Sequence, residues 1–287
     1  NIAMSGPVLV IGRTGQLARA LQRIGGDAVE AWGREQLDLS DPDSIARKLS
    51  DSGASAVINA AAYTAVDAAE NDASNVLLLN ARAPGIMARA CAALGVPFVY
   101  LSSDYVFDGA KIGAYVEIDA RAPLNVYGRS KAEGEDVVLA AGGCIVRTSW
   151  VFAAEGKNFV RTMLALAQRS DRVSVVSDQI GRPTWSDDLA RACLAIAAQP
   201  GVSGEIFHFA GADDASWADF AEGVFVEAAA RGMQRAQVSP ILSAEYPTAA
   251  ARPANSRLDS SKFAALTGSA PRPWREALRL CFDQMNA

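Results

Sequence analysis

Histidine and cysteine are scarce in this 287-residue sequence, which limits the metal and redox chemistry that its side chains can supply. The four cysteines, Cys91, Cys144, Cys193 and Cys281, are far apart and never form a Cys-x-x-Cys pair. This spacing argues against both a zinc cluster and a disulfide framework. The cysteines are therefore predicted to be buried small apolar residues. The single histidine, His208, lies in the apolar run EIFHFAG and is predicted to be a hydrogen-bonded core residue.

An excess of positive charge and a long apolar run are also missing. The formal net charge is -5, and without a basic stripe to neutralise phosphates no nucleic-acid partner is expected. No apolar run approaches the roughly 20 residues of a membrane-spanning helix, and no basic segment followed by an apolar stretch is found near residue 1. We therefore expect no membrane association and a cytoplasmic location. Asn1, Ile2 and Ala3, which precede Met4, are interpreted as residues added ahead of the natural start and are not assigned to the fold.

Short apolar runs alternate with longer helical patterns in the first part of the chain. The runs lie at residues 8–11, 56–58, 97–101, 144–146 and 173–176, and helical patterns follow at 15–24, from 41 onward and at 75–94. Continuous rather than alternating apolarity is typical of strands that are covered on both faces. The sequence therefore predicts an α/β fold with a Rossmann-type, doubly wound parallel sheet.

The pattern changes after residue 176. The segment DQIGRPTWSDD leads into a helix to residue 198, a strand follows at 205–209, and helices are predicted at 216–231 and 274–285 around a proline-rich tail. We predict a dinucleotide-binding domain at residues 1–176. Residues 177–287 are predicted to form mainly a smaller C-terminal substrate-binding lobe, with some segments returning to the sheet.

Two glycines in VLVIGRTGQLARAL indicate a phosphate-binding turn. Gly12 and Gly15 follow a predicted strand and open a helix. In a dinucleotide fold the first glycine permits the tight turn, and the second lets the backbone approach a pyrophosphate at the helix N-terminus. Ala18 replaces the third glycine, which is acceptable where only close helix packing is needed. An ordinary glycine turn would look the same, but its place in the first strand–helix unit favours a dinucleotide site.

The second and third strands bear on which dinucleotide would bind. The second strand ends in Arg34 rather than in an acidic residue. An arginine can pair with the 2′-phosphate of NADPH, so this favours NADPH, although NADH stays possible. The alternative for Arg34 is an exposed surface charge with no ligand. Asp38 and Leu39 either line the adenine or end a loop. Ala61 and Ala62 allow a flat cofactor close to the backbone, although packing against a helix would explain them equally well.

Tyr127 and Lys131 are one helical turn apart in LNVYGRSKAEGEDVVLA and share one helix face. A nearby ammonium lowers the pKa of a phenol from about 10, which makes the phenol a usable proton donor to a carbonyl. A surface tyrosine beside a solvated lysine is the alternative. The preceding strand ends in Ser102 and Ser103, and a serine hydroxyl can hold a substrate oxygen against the phenol. Together these features favour catalysis.

The glycine turn, Ser103, the Tyr127-x-x-x-Lys131 set and the α/β alternation resemble the extended short-chain dehydrogenase/reductases, and within them the dTDP-4-dehydrorhamnose reductases. The segments that carry the narrower resemblance span nearly the whole chain; in order, they are NAAAYTAVDAAE, SSDYVFDG, PLNVYGRSK, RTSWVF, NFVRTM, DQIGRPT and RPANSRLD. The resemblance implies NAD(P)H-dependent reduction of the 4-keto group of dTDP-4-dehydro-L-rhamnose. The product, dTDP-L-rhamnose, is a sugar donor for the bacterial cell surface.

The resemblance also implies roles for individual residues. Tyr127 would donate the proton, Lys131 would hold the nicotinamide ribose and tune the phenol, and Ser103 takes a position where many relatives have threonine. The implied cofactor contacts are Gly15, Gln16, Leu17, Asp38, Leu39, Ala61, Ala62 and Tyr63. The implied substrate-facing residues are Ser103, Asp104, Tyr105 and Trp150, with a core aromatic residue as the alternative for Trp150.

Two further positions bear on the substrate. Arg182 in the GRPT segment is a candidate partner of the diphosphate, because a guanidinium fork suits that group. An exposed loop arginine is the alternative. Tyr105 separates activities, since related sugar-nucleotide dehydratases carry an acidic pair at 104 and 105. A non-acidic Tyr105 disfavours elimination and leaves hydride transfer.

Assembly and alternative functions stay open. Relatives form dimers through acidic residues that hold a metal ion, and the resemblance places Ala20 at one of those ligand positions. We therefore predict no metal site and either a monomer or a homodimer. A reductase or epimerase acting on another nucleotide sugar, and a non-catalytic cofactor-binding regulatory subunit, are the alternative functions. The intact Ser103, Tyr127 and Lys131 argue against the second.

Overall fold

The structure, a computed structural model, describes residues 6–285, so Asn1, Ile2 and Ala3 lie outside the described residues. The strands are β1 (Val8–Ile11), β2 (Val29–Trp32), β3 (Ala56–Asn59), β4 (Phe98–Ser103), β5 (Cys144–Thr148), β6 (Val151–Phe152), β7 (Arg172–Val176), β8 (Ile180–Gly181), β9 (Thr184–Trp185), β10 (Ile206–His208), β11 (Ala215–Ser216), β12 (Gln237–Ile241) and β13 (Asn255–Ser256). The helices are α1 (Gln16–Gly25), α2 (Pro42–Ser50), α3 (Val66–Ala69), α4 (Ala73–Leu77), α5 (Ala83–Leu94), α6 (Val126–Ala140), α7 (Phe159–Ala167), α8 (Ser186–Ala197), α9 (Trp217–Ala230), α10 (Ser261–Thr267) and α11 (Trp274–Met285).

Six strands form a parallel sheet in the order β10-β5-β4-β3-β1-β2. The chain moves from β1 outward to β2 and then crosses to β3 on the other side of β1. The strand order therefore reverses beside β1, and in such sheets ligands bind in the crevice at the carboxyl ends of the strands where this reversal occurs. The predicted α/β fold with a doubly wound parallel sheet is confirmed.

Helices cover both faces of this sheet. One face packs against α1 and α8, and the other packs against α2, α5 and α6. Residues Val8–Ile11 of β1 and residues 56–58 of β3 are apolar and buried on both faces, which explains why these strands lack an alternating pattern. α8 and β10 belong to this layer although they follow residue 176.

A second core lies under α7, α9 and α11, and it includes β7 and Trp274. The run at 173–176, predicted as a strand of the main sheet, is instead part of β7, which pairs with β12 in a separate two-stranded sheet. The reason is its one-sided burial: Val173 and Val175 are buried, whereas Arg172 and Ser174 are exposed. Segments from both sides of residue 176 thus contribute to each core, and the division into two domains at that residue stays a prediction.

The scarce residue types are buried. All four cysteines are free and buried, as predicted. His208 is fully buried and lies 3.2 Å from Arg147 Nη1 and 3.1 Å from the Tyr115 carbonyl oxygen, which agrees with the predicted core role. Ala20 is buried between α1 and the sheet, so this position does not face a surface that a second chain can reach.

Neither a metal-binding cluster nor a membrane-spanning helix occurs in residues 6–285. No group of three or more His, Cys, Asp or Glu side chains in that range is arranged to hold a metal ion. None of the helices in it combines the length and the apolarity needed to cross a bilayer.

Candidate active site

The glycine turn after β1 opens the site. Gly12 has φ +106°, and its N–H donates to the Trp32 carbonyl oxygen at 2.8 Å. A Cβ at Gly12 would lie 3.2 Å from the Ala61 nitrogen, so the protein itself requires glycine here. Gly15 is the N-cap of α1, and a Cβ there would meet no protein atom within 4 Å. The space in front of this helix N-terminus is therefore open and fits an anionic group such as a pyrophosphate.

Four predicted cofactor residues near this turn differ in how their side chains are used. Leu17 and Leu39 are buried in the two cores that flank the sheet, so any cofactor contact from them is through the backbone. The Arg34 side chain is 80% exposed at the end of β2, and its Nε donates to Asp38 Oδ2 at 3.1 Å. Hydrogen bonds from Ser40, with the nearby Arg34, lower the pKa of Asp38 to about 2. Asp38 thus stabilises a local turn.

The segment after β3 is held by a residue that the sequence did not single out. Asn80 accepts from the Tyr63 N–H at 2.9 Å and donates to the Tyr63 carbonyl oxygen at 3.1 Å. Its amide also donates to Ser130 Oγ on α6 at 3.0 Å. Asn80 lies in a π-helical turn at Leu78–Arg82 between α4 and α5, and such turns often occur at functional sites. It connects the loop carrying Ala61, Ala62 and Tyr63 to the helix of Tyr127 and Lys131.

The end of β4 meets the start of α6 at the same edge of the sheet. Ser103 Oγ donates to Asp104 Oδ1 at 3.0 Å and accepts from the Tyr105 N–H at 3.2 Å. The ring of Tyr105 lies edge-on to that of Tyr127, with centroids 5.5 Å apart. A Cβ at Gly128 would be only 2.2 Å from the Tyr105 carbonyl oxygen, so this glycine permits α6 to approach the turn. The structure thus brings Ser103, Asp104, Tyr105 and Tyr127 together.

The charge states of the Tyr/Lys pair differ from the sequence-based expectation. Burial raises the pKa of Tyr127 above its ordinary value of 10, and the neighbouring Ser103 hydroxyl opposes the rise. Lys131 Nζ donates to the Leu101 carbonyl oxygen at 2.9 Å and lies 4.8 Å from the centre of the Tyr100 ring. The expected lowering of the phenol pKa by Lys131 is therefore not found. The phenol stays protonated at neutral pH, which is the form that a proton donor needs.

Two other buried groups have shifted pKa values. Burial lowers the pKa of Lys131 to about 7, and the negative charge of Glu135 opposes this shift. Burial raises the pKa of Asp104 to about 6, against hydrogen bonds from Ser256 and Ser103. Titrating groups gathered in one crevice are typical of active sites.

The remaining predicted substrate residues, Trp150 and Arg182, lie after the end of β5. Trp150 follows β5 with φ +50°, a conformation that is unfavourable for a bulky residue. Its ring stacks on Trp217 at the start of α9, with centroids 3.5 Å apart. Arg182 is not a solvated loop residue, because its Nε donates to Asp214 and its Nη1 donates to the Leu258 carbonyl oxygen, each at 2.8 Å.

A buried ion pair beneath the site was not predicted. The Glu135 carboxylate on α6 accepts from Arg147 Nε and Nη2 on β5, each at 2.7 Å, and from Ser102 Oγ at 2.5 Å. Both charged side chains are almost completely inaccessible. The only sequence signal was the spacing of Glu135, one helical turn after Lys131 and therefore on the same helix face.

Comparison with known proteins agrees with this arrangement. Residues 6–287 match the sequence profile of the family described as the RmlD substrate binding domain. A dTDP-4-dehydrorhamnose reductase from Sinorhizobium fredii is 42% identical over 279 residues, which are 94% of this chain and 94% of that protein.

Solved structures lead to the same family. The crystal structure of a dTDP-4-dehydrorhamnose reductase from Clostridium acetobutylicum has a TM-score of 0.91 at 34% identity, covering 98% of this chain and 100% of that one. That of the Bacillus anthracis dTDP-4-dehydrorhamnose reductase, in complex with NADP, has a TM-score of 0.90 at 31% identity, covering 98% and 99%. The chain therefore belongs to the RmlD substrate binding domain family, together with these dTDP-4-dehydrorhamnose reductases.

Proposed function

We propose that the protein catalyses the NAD(P)H-dependent reduction of dTDP-4-dehydro-L-rhamnose to dTDP-L-rhamnose. One observation carries the proposal: Ser103, Tyr127 and Lys131 lie at the carboxyl edge of the sheet that also presents the open glycine turn. The family membership of the chain supports the substrate, because the relatives described above are dTDP-4-dehydrorhamnose reductases. The product is a sugar donor for the bacterial cell surface.

The cofactor in this proposal is NADPH, with NADH as the alternative. The open space at Gly15 and the N-terminus of α1 suit its pyrophosphate, and Arg34 suits a 2′-phosphate. Gln16, Leu17, Asp38 and Leu39 complete the adenosine side. Ala61 and Ala62 form a small-residue surface for the flat rings, and Tyr63 adds a further contact. When bound, the reduced nicotinamide supplies the hydride that adds to the carbonyl carbon at C4.

The protein's own groups then manage the proton. Tyr127 gives its phenolic proton to the carbonyl oxygen, and Ser103 orients that oxygen by a hydrogen bond. The alcohol forms with one hydride on carbon and one proton on oxygen, and the phenolate regains its proton from solvent. Lys131 holds the nicotinamide ribose and places a positive charge near the phenolate.

The nucleotide sugar lies between the two lobes in this proposal. Asp104 and Tyr105 face the sugar from the turn after β4, and Trp150 contacts it from the end of β5. Arg182 binds the diphosphate by exchanging its present partner Asp214 for phosphate oxygens, since both groups offer anionic oxygen acceptors to the guanidinium. The tyrosine at 105 leaves the site without the second carboxylate that elimination would require.

We place the enzyme in the cytoplasm as a monomer or homodimer. Four buried free thiols suit a reducing compartment, and the proposed substrate carries a charged diphosphate that does not cross a membrane unaided.

The decisive experiment supplies the purified protein with dTDP-4-dehydro-L-rhamnose and either reduced cofactor, and identifies the product by NMR. We expect dTDP-L-rhamnose and one equivalent of oxidised cofactor. A UDP-linked 4-keto sugar serves as the competing substrate, and faster turnover of that compound would reassign the nucleotide specificity. Absence of cofactor oxidation with every keto sugar, while NADPH still binds, would instead support the regulatory-subunit alternative.

A further inference from the structure

We propose that Glu135 is a positioning residue of the active site: its carboxylate ties the end of β4 to α6 and supplies the negative charge beside the Lys131 ammonium. This inference rests on the proposed function, since it assigns to Glu135 an effect on the groups that would perform the reduction. Glu135 itself is fully buried, so its role is assigned through the residues that it contacts.

The contacts of Glu135 connect the strand end to the helix. Its Oε1 accepts from Ser102 Oγ at 2.5 Å, and Ser102 immediately precedes Ser103. One turn earlier on α6, Lys131 donates to the Leu101 carbonyl oxygen at 2.9 Å. Adjacent residues of β4 are thus held by adjacent turns of the helix that carries Tyr127. This double attachment fixes the distance between the Ser103 hydroxyl and the Tyr127 phenol.

A buried ion pair of this kind contributes little to stability by itself. Desolvating Glu135 and Arg147 offsets much of their mutual attraction, and apolar residues of similar volume often replace such pairs without loss of stability. Here the carboxylate also accepts from Arg121 Nη1 at 3.2 Å, so both of its oxygens are used by cations. The pair is therefore better explained by the orientation it imposes on α6 than by stabilisation alone.

The charge of Glu135 acts on Lys131 within the buried interior, since both side chains are almost completely inaccessible. Both side chains lie on one face of α6, and the carboxylate raises the pKa of Lys131 against the larger lowering by burial. Other ionisable groups lie on α6 and on the elements packed against it: Tyr127 on α6, Tyr100 on β4, Asp104 and Tyr105 in the following turn, Arg147 on β5, Arg121 before α6 and Glu70 after α3. Neutralising Glu135 would leave Arg147 and Arg121 uncompensated, which favours the neutral amine.

The test substitutes Glu135→Gln, with Glu133→Gln as the matched control because Glu133 is exposed on the same helix. We measure NADPH binding by nucleotide fluorescence, and kcat and KM for the keto sugar, between pH 6 and 9. For Glu135→Gln we expect kcat at neutral pH to fall about tenfold. We also expect the alkaline limb to move about one pH unit lower in both the kcat profile and the NADPH-binding profile. Activity should be partly restored at the acidic end, whereas Glu133→Gln should match the wild type.

Ser102→Ala keeps the ion pair and the bond from Lys131 to Leu101, and removes only the attachment of Glu135 to β4. We expect kcat to fall about three- to tenfold with an unchanged pH profile, as suits the loss of one hydrogen bond. A folded Glu135→Gln variant with wild-type kcat and pH profile overturns the inference. If Glu135→Gln does not fold, Ser102→Ala decides: unchanged kcat overturns the positioning role, and reduced kcat at unchanged KM supports it. Failure of the wild type to reduce any keto sugar would overturn the proposed function, and the fluorescence profile would still test the charge of Glu135.

Discussion

The two halves of the sheet's carboxyl edge are built in different ways. At β1 to β3, the candidate site consists of backbone and small side chains packed around Gly12 and Ala61, with open space in front of Gly15. At β4, β5 and β10 it rests on buried polar and charged side chains, with Glu135 and Arg147 at the centre. The first half presents backbone N–H groups to an anionic group such as a pyrophosphate with little desolvation. The second half holds the proton-transferring groups in a fixed orientation. Its low polarity strengthens each electrostatic interaction between them.

The largest effect is expected in the second half. Tyr127→Phe removes the phenolic proton and leaves the ring packing, so kcat should fall by about 10²- to 10⁴-fold. NADPH affinity should change little, because the hydroxyl is not needed to form the glycine turn. Steady-state kinetics and a fluorescence titration measure the two quantities. A variant that reduces the keto sugar at the wild-type rate would show that another group donates the proton.

The glycine turn offers the matching test in the first half. Gly15→Val fills space that no protein atom occupies, so we expect NADPH binding to weaken about 10- to 100-fold with an unchanged unfolding midpoint. Gly12→Val places a side chain on a backbone at φ +106° and should destabilise the fold by about 1–3 kcal/mol. Calorimetry of both variants separates the effects. Equal loss of stability in both would mean that the space at Gly15 belongs to the protein.

Asp104 gives a pH-dependent prediction for the second half. Its folded pKa, raised by burial to about 6 from 3.8, means that the folded state binds more protons than the unfolded state between those values. The resulting stabilisation is complete below pH 3.8 and is lost as the pH rises through 6. The change amounts to at most about 3 kcal/mol.

The measurement compares the wild type with Asp104→Asn by urea unfolding at pH 5 and pH 7. The asparagine cannot titrate, so the difference in unfolding free energy between the two proteins should shift with pH in favour of the wild type at pH 5. Other carboxylates titrate equally in both proteins and cancel. A constant difference would mean that Asp104 has an ordinary pKa and contact with water.

The two halves also differ in how much the sequence revealed. The glycine turn and the Tyr127/Lys131 spacing are local patterns, and their residues could be assigned from positions a few residues apart. Glu135 and Arg147 are 12 positions apart, and Arg147 and His208 are 61 apart, so only the fold brings the network together. No local pattern could predict that burial would dominate the pKa of Tyr127.

Other differences have separate physical causes. The π-helical turn that directs Asn80 toward Tyr63 is a backbone irregularity inside a continuous helical pattern, and such a turn has no compositional marker. The prediction that residues 173–176 belong to the main sheet is wrong because Ser174 interrupts the apolar run, and the resulting alternation is typical of a strand with one exposed face. Arg182 donates a hydrogen bond to Asp214, which is 32 positions away in the sequence. No sequence pattern predicts this contact.

The smallest expected effect concerns cofactor choice in the first half. Arg34→Ala should reduce the preference for NADPH over NADH by about three- to tenfold, because the Arg34 side chain is exposed and its interaction with a phosphate is screened by water. The ratio of kcat/KM for the two cofactors measures this preference. Arg47→Ala removes an exposed arginine from α2 and is the matched control for a general change in surface charge. An equal change in both variants would assign the effect to the overall field, whereas a change in Arg34→Ala alone would place the 2′-phosphate at the end of β2.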